Sequence, residues 1–533
     1  MTLTVFGAPE GQDALLLRAR RVETQAPVLH VCRDDARMAR LADALAFAMP
    51  EAEVLRFPAW DCLPYDRVSP NPEIVAERVA TLASLTTPPA RPRLVLTTVN
   101  ALVQRVPPEE VFEGAALALR RGTRVAVERV TAFLEANGYG RTGTVMEPGE
   151  YALRGGIIDL YPAGESEPLR LDFFGDEIES LRRLDPGTQR SGGVVDSLTL
   201  RPVGEVLLDA ASIERFRTAY RDLFGNAAAE DPLYVSVSAG RRHPGMEHWA
   251  GLFHPRMQTL LDYLPGASVS LDHQAEEALA ARLEMIEDHY AARRTPSRLN
   301  EGEVPYRPAP PGLLYLDRRG WEAMLAGLQV LGFSPFARPE GAAGVDAGGR
   351  PGRLFADIRQ AGENVFRAYA AHAETEFGRG RRPMLAAWTR GSRERLVSLL
   401  RENGVAAEPV EDFYALQRLA SGTVGVAILG LERGFVNETL SVCAEQDLLG
   451  ERIARPPRRR KRADQFIADA TQIEVGDLLV HEDHGIGRYE GLETVQVGQA
   501  PHDCLKLTYD GAAKLYVPVE NIEVLSRFGS ETA

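Results

Sequence analysis

Three short β-rich runs, Val28 to Cys32, Val54 to Phe57 and Leu94 to Thr98, alternate with stretches of helical periodicity such as Asp35 to Ala48. Strands separated by helices are laid parallel, because a parallel neighbour needs a long crossover whose helix then covers the sheet. The chain is therefore expected to open with an α/β domain over residues 1–118. From about Arg121 a helix candidate ends near Asn137-Gly138. Strand-like runs between Tyr151 and Asp185 are then broken by Gly155-Gly156, Pro162-Ala163-Gly164 and Gly175-Asp176. That pattern predicts a β-rich insert over 119–203, with mixed helix and strand resuming over 204–330. Pro335 to Gly352, rich in Pro, Gly and Ala, reads as a linker. A smaller α/β domain follows over 353–452, with strands at Met384–Trp388 and Val424–Leu429 around a helix at Ser392–Asn403. The run RPPRRRKR, Arg455 to Arg462, marks a basic tether over 453–472, and 473–530 is nearly all short strands.

At 533 residues the chain exceeds what one hydrophobic core organises, and three to five domains are expected. A net charge of −14 disfavours a protein that coats DNA, since phosphate binding draws on clustered Lys and Arg; protein partners fit better. Cys32, Cys62, Cys443 and Cys504 form no CxxC pair, which argues against a zinc ribbon or a disulfide framework. The first residues carry neither a basic leader nor an apolar run, and no segment approaches the length of a membrane helix, so the cytoplasm is the expected location.

The strongest signal lies near the C-terminus, in GDLLVHEDHGIGRYEGLETVQV and HDCLKLTYDGAAKLYVPVENIEVLSRFGS. Leu505, Leu507 and Tyr509 alternate with Cys504, Lys506 and Thr508, giving one apolar face. Asp510-Gly511 supplies a hairpin turn before Lys514 to Pro518, and Gly485, Gly487 and Gly491 suit bulges that bend strands around a small SH3/Tudor-like barrel. His481, Glu482, Asp483, His484 and His502 raise a metal alternative. Their spacing is not the i, i+4 pair that a helical site presents. The module resembles the RNA-polymerase-interacting domain of bacterial transcription-repair coupling factors, shared with CarD-type regulators. The resemblance implies docking on the polymerase β subunit by strand pairing along Gly491 to Val497, through Leu492, Glu493, Thr494, Val495 and Gln496. Read without the family, the same stretch is an interior strand with Val495 in a core.

Two further phrases, FPAWDCLPYDRVSPNPEIVAERVATL (Phe57 to Leu82) and LRGGIIDLYPAGESEPLRLDFFGDEIESLR (Leu153 to Arg182), resemble the UvrB-like module of the same family. Along Leu169 to Phe174, Leu171 and Phe173 point one way and Arg170, Asp172 and Phe174 the other. The resemblance places UvrA contacts at Arg154, Arg170 and Phe174; the strand pattern alone reads as two solvated arginines and a packed Phe. A RecA-like domain of UvrB type would carry GxxxxGK[ST] near its start. Here the loop reads Gly7-Ala8-Pro9-Glu10-Gly11-Gln12-Asp13, without the Lys or the Ser/Thr, and Glu10 and Asp13 are expected to repel a triphosphate. Gly7 and Gly11 are thus what is left of an inactive phosphate loop.

The resemblance implies an adaptor in transcription-coupled nucleotide-excision DNA repair. It would bind a stalled RNA polymerase, recruit UvrA, and meet DNA only indirectly. Complete family members are ATP-dependent double-stranded DNA translocases of helicase type, whose ATP and magnesium belong to motor domains this sequence does not contain. No cofactor, metal or catalytic residue is therefore expected here. The phrase from Gly430 to Ile453 resembles the family's middle domain, read as a spacer. The alternatives are a CarD-type transcription regulator and a diverged UvrB-like ATPase.

Overall fold

A computed structural model describes residues 2–113, 116–162, 165–225, 231–294, 306–450, 476–481, 485–497, 500–509, 514–518 and 525–527. The chain divides into two compact units, Met1–Glu451 and Arg452–Ala533.

In the first unit, seven strands form an all-parallel sheet. Their order is Val345–Asp346, Thr2–Phe6, Val330–Phe333, Ser268–Leu271, Val28–Cys32, Arg93–Thr98 and Glu53–Phe57. Val28–Cys32 is buried at all five positions, as befits a strand with neighbours on both edges and cover on both faces. The helix Asp35–Ala48 starts where Asp34 accepts a hydrogen bond from the Arg37 amide, and it buries Leu41 and Leu45. Truncating either leucine to alanine is worth about 2–5 kcal/mol.

Between Arg93–Thr98 and Ser268–Leu271 the chain leaves this sheet to build the insert. Leu117–Arg120 pairs antiparallel with Ser197–Leu200, so the insert is closed by its own ends. The helix spans Val127–Ala136 rather than beginning near Arg121, because the amides of Arg121, Gly122 and Val125 are taken by the Asp196, Ile178 and Asp176 carbonyls just beyond that ladder. Six further strands lie in the order Ser191–Val194, Glu177–Leu184, Leu169–Phe174, Ile157–Leu160, Glu150–Arg154 and Gly140–Arg141. Val130, Leu134, Ile158, Leu160, Leu171 and Leu181 form a core distinct from that of the host sheet.

Glu205 anchors the return. Its carboxylate accepts from Arg78 at 2.5 and 3.0 Å and from the Trp60 indole at 3.1 Å, and Arg78 is wholly buried. Arg78 also donates to the Pro58 carbonyl and lies 4.1 Å from the Phe57 ring centroid. The phrase from Phe57 to Leu82 is thus the socket in which the insert's exit strand is seated. A buried guanidinium needs such pairing, since desolvating it otherwise costs several kcal/mol.

The second sheet runs Arg350–Pro351, Phe435–Val436, Leu440–Ala444, Arg382–Ala387, Val424–Ile428 and Ala407–Val410, and its last four strands are parallel. The stretch expected as a linker is instead stitched at both ends. Val345–Asp346 pairs with Val5–Phe6, and Arg350–Pro351 pairs with Phe435–Val436. Nor does a free spacer follow, because one core joins both sheets: Leu17, Leu41 and Leu45 of the first helices pack in the same cluster as Met384, Phe413, Leu416 and Phe435. Local composition made 335–352 look flexible, and long-range pairing overrides it.

The second unit is an antiparallel sheet ordered Lys514–Pro518, Ala500–Thr508, Gly485–Val497, Leu478–His481, Leu525–Arg527. Leu505 and Leu507 are buried on one face with Leu479, Tyr489 and Val517. A bulge falls between Tyr489 and Gly491, and Gly491 takes φ 119°, a backbone state few other residues accept. Among the described residues Lys514–Pro518 and Leu525–Arg527 are the two edges of this sheet. The basic tether over 453–472, the turn at Asp510-Gly511, and Glu482, Asp483 and His484 lie outside the described residues.

Candidate functional site

Thr2–Phe6 leads through the loop Gly7–Gly11 into the helix Gln12–Thr24, a strand–loop–helix whose first amides would face an anion if they were free. They are not free. The Asp13 carboxylate accepts from the Gly11 amide at 3.0 Å and from the Ala14 amide, and the Gln12 and Asp13 amides donate to the Pro9 carbonyl. The Gly7 and Ala8 amides donate to Phe336 and Ser334 carbonyls. A side chain at Gly7 would meet Asp346 Oδ1 at 2.8 Å, and one at Gly11 would meet the Phe435 ring at 2.7 Å. The loop is filled by the first sheet's edge strand on one side and by an aromatic of the second sheet on the other.

The two acidic residues here are not bare, as the sequence suggested. Asp13 forms a buried ion pair with Arg37, which also lies 3.4 Å from Asp272. Burial alone would raise the Glu10 carboxyl, but the hydrogen bond from Arg40 and the charges of Arg37, Arg40 and Arg33 outweigh it and hold it below its ordinary value. What stands against a triphosphate is therefore occupancy: a carboxylate already sits on the helix amides and an arginine already neutralises it. These residues do not fit ATP with magnesium.

On the insert, the three UvrA candidates share one sheet face. Asp172 lies opposite Ile157 and Ile157 opposite Arg154, while Arg170 lies opposite Asp159 on one side and Arg182 on the other. Phe174 is 81% exposed, unusual for so large an apolar ring. Arg154 is exposed and donates to the Gly143 carbonyl. Arg170 is not a free cation: its Nε and Nη2 donate to the two Asp159 oxygens at 2.7 and 2.9 Å, and its Nη1 reaches Ser191 Oγ at 3.3 Å. The hydrogen bond to Asp159, itself 2% exposed, strengthens the proton affinity of the guanidinium and fixes its plane. Sequence reasoning missed Asp159; only the hairpin register brings it across from Arg170.

In the second unit the polymerase candidates lie on one strand. Arg488–Tyr489 and Gly491–Val497 pair with Ala500–Thr508, whereas Leu478–His481 pairs only as far as Arg488. Leu492 to Val497 is therefore paired along one edge alone among the described residues, although the strand as a whole lies between two others in the sheet. Glu493 is exposed and forms an ion pair with Lys506 at 2.9 Å, whose hydrogen bond holds its carboxyl below the ordinary range. Among the described residues no group of His, Cys, Asp and Glu is placed to hold a metal ion, and no helix is long and apolar enough to cross a membrane.

Comparison with known proteins gives two family matches. Residues 117–205 match the UvrB interaction domain, and residues 473–529 match the CarD-like/TRCF RID domain. The chain is 31% identical to the transcription-repair-coupling factor of Escherichia coli over 98% of its own length and 45% of the relative's. Identity to that of Haemophilus influenzae is 30% over 97% of this chain and 44% of the relative, and to that of Bacillus subtilis 25% over 96% and 44%. The chain thus spans less than half the length of the relatives it matches.

Proposed function

We propose, for a chain that belongs with the transcription-repair-coupling factors over the part it spans, that it is a two-ended adaptor. One end holds RNA polymerase and the other recruits UvrA to the site where transcription has stalled. The observation that carries this reading is the edge of Leu492–Val497. An extended segment whose backbone groups are unpaired on one side accepts a partner strand, and the polymerase β subunit would supply it. At the other end, Phe174 on the same face as the fixed fork of Arg170, with Arg154 in the row between them, is the kind of aromatic and arginine set that dominates interfaces. The filled loop at Gly7–Asp13 favours an adaptor over an ATPase, and DNA is met through the polymerase.

The test is a crossed binding experiment with immobilised chain. A double substitution Arg170→Ala, Phe174→Ala should lower UvrA capture at least about tenfold and leave polymerase capture intact. Val495→Asp should do the reverse. If each double or single variant binds both partners like the parent, the adaptor reading is wrong, and saturable binding of ATP would restore the enzyme alternative.

A further inference from the structure

The docking face on the insert carries one arginine that the family phrase did not single out. Arg182 sits directly across from Arg170 in the Leu169–Phe174 and Glu177–Leu184 pair, so the two share a face. Like charges opposite one another destabilise a sheet, and here Asp159 removes half of the conflict by binding Arg170 from the other strand. Arg182 has no such relief: it is exposed and has no hydrogen-bond or ion-pair partner among the described residues. Its neighbour Arg183, by contrast, is paired with Glu167 at 3.1 Å. Across the face the carboxylates are already engaged: Asp159 by Arg170, Asp172 by a hydrogen bond from Ser180, and Glu177, opposite Phe174, by Arg124 at 3.9 Å. An open recess of about 480 Å³, lined by Arg121, Ile157, Asp172, Glu179, Ser180 and Arg182 among others, leaves room beside the guanidinium for a partner's side chain.

We propose that Arg182 is a further specificity-determining residue of this face, and that it meets a carboxylate on the surface of UvrA. The inference rests on the reading that UvrA docks here. It divides the labour: Arg170, held by Asp159 and Ser191, is a rigid platform on the same face as Phe174, while Arg182 supplies the free charge that steers encounter. An unpaired cation at an interface acts mainly on the association rate and its salt dependence.

The experiment is surface plasmon resonance of UvrA over immobilised chain, at low and at high salt. Arg182→Ala should slow association about fivefold at low salt, and Arg182→Glu further, with a flatter salt dependence and a dissociation rate close to the parent's. The melting temperature should be unchanged in both. Arg183→Ala should associate like the parent. An Arg182→Glu variant whose association rate and salt slope match the parent's overturns the proposal, provided that Arg170→Ala, Phe174→Ala still weakens capture. If the double variant also binds normally, or if the parent chain captures no UvrA, the docking face itself is wrong and this inference falls with it.

Discussion

The loop Gly7–Asp13 and the strand Gly491–Val497 are both places where backbone amides were candidates for outside partners, and they have opposite fates. In the loop, the described amides of Gly7, Ala8 and Gly11 to Ala14 are all consumed within the chain, two of them by the Asp13 carboxylate. In the strand, the edge from Leu492 to Val497 is left without a neighbour among the described residues. A binding site is thus defined less by its motif than by whether its hydrogen-bonding groups are already spent, because an amide that is satisfied internally has little to gain from a ligand.

The contrast can be broken most sharply from the closed side. Arg37→Ala would leave Asp13 buried and unpaired, and chemical denaturation should show a loss of about 3–5 kcal/mol; a variant as stable as the parent would mean the loop is not locked by this pair. Acid should destabilise the same unit next. Burial holds the imidazoles of His30 and His248 neutral, with pKa values lowered to about 4. A group depressed in this way gives its full stability above the ordinary histidine value near 6.5. That stability is lost as pH falls from there toward 4, because the unfolded chain takes up protons first. The loss should be on the order of 3 kcal/mol for each histidine, read from unfolding curves across that window and absent in the double variant His30→Leu, His248→Leu. On the open side, adjacent residues of a strand send their amides in opposite directions. Of Thr494→Pro and Val495→Pro, one should therefore unfold the hairpin and the other should leave it folded, by circular dichroism, while cutting polymerase capture about tenfold. Equal capture by the folded one would remove strand pairing as the mode of docking. Smallest of all, Glu493→Gln should leave the melting temperature where it was, because Glu493 is itself exposed and its pair with Lys506 is screened by water.

Much of the architecture was legible because it is local. The helix Asp35–Ala48 falls where its periodicity and its Asp34 cap put it, and Leu505 and Leu507 point inward as their alternation requires. The parity of Arg170, Asp172 and Phe174 was equally plain. What was not legible depends on residues far apart in the chain. Arg37 and Arg40 rescue Asp13 and Glu10 from a distance that charge counting within a motif does not reach, and Asp159 turns Arg170 from a solvated cation into a fixed fork. The pairing of 345–346 and 350–351 with two different sheets hid behind a composition that reads as loop. Edge and interior strands also look alike in sequence, so the open side of Leu492–Val497 appeared only with the register.

The interleaved order of the first sheet also dictates a timetable. Thr2–Phe6 leaves the ribosome more than three hundred residues ahead of its neighbours, Val330–Phe333 and Val345–Asp346. At bacterial translation rates of about 5–20 residues per second, it waits tens of seconds without a partner. The insert, whose hairpins pair within themselves, is complete well before then, so the nascent chain presents a finished insert while the host sheet's own founding strand is still exposed to chaperones.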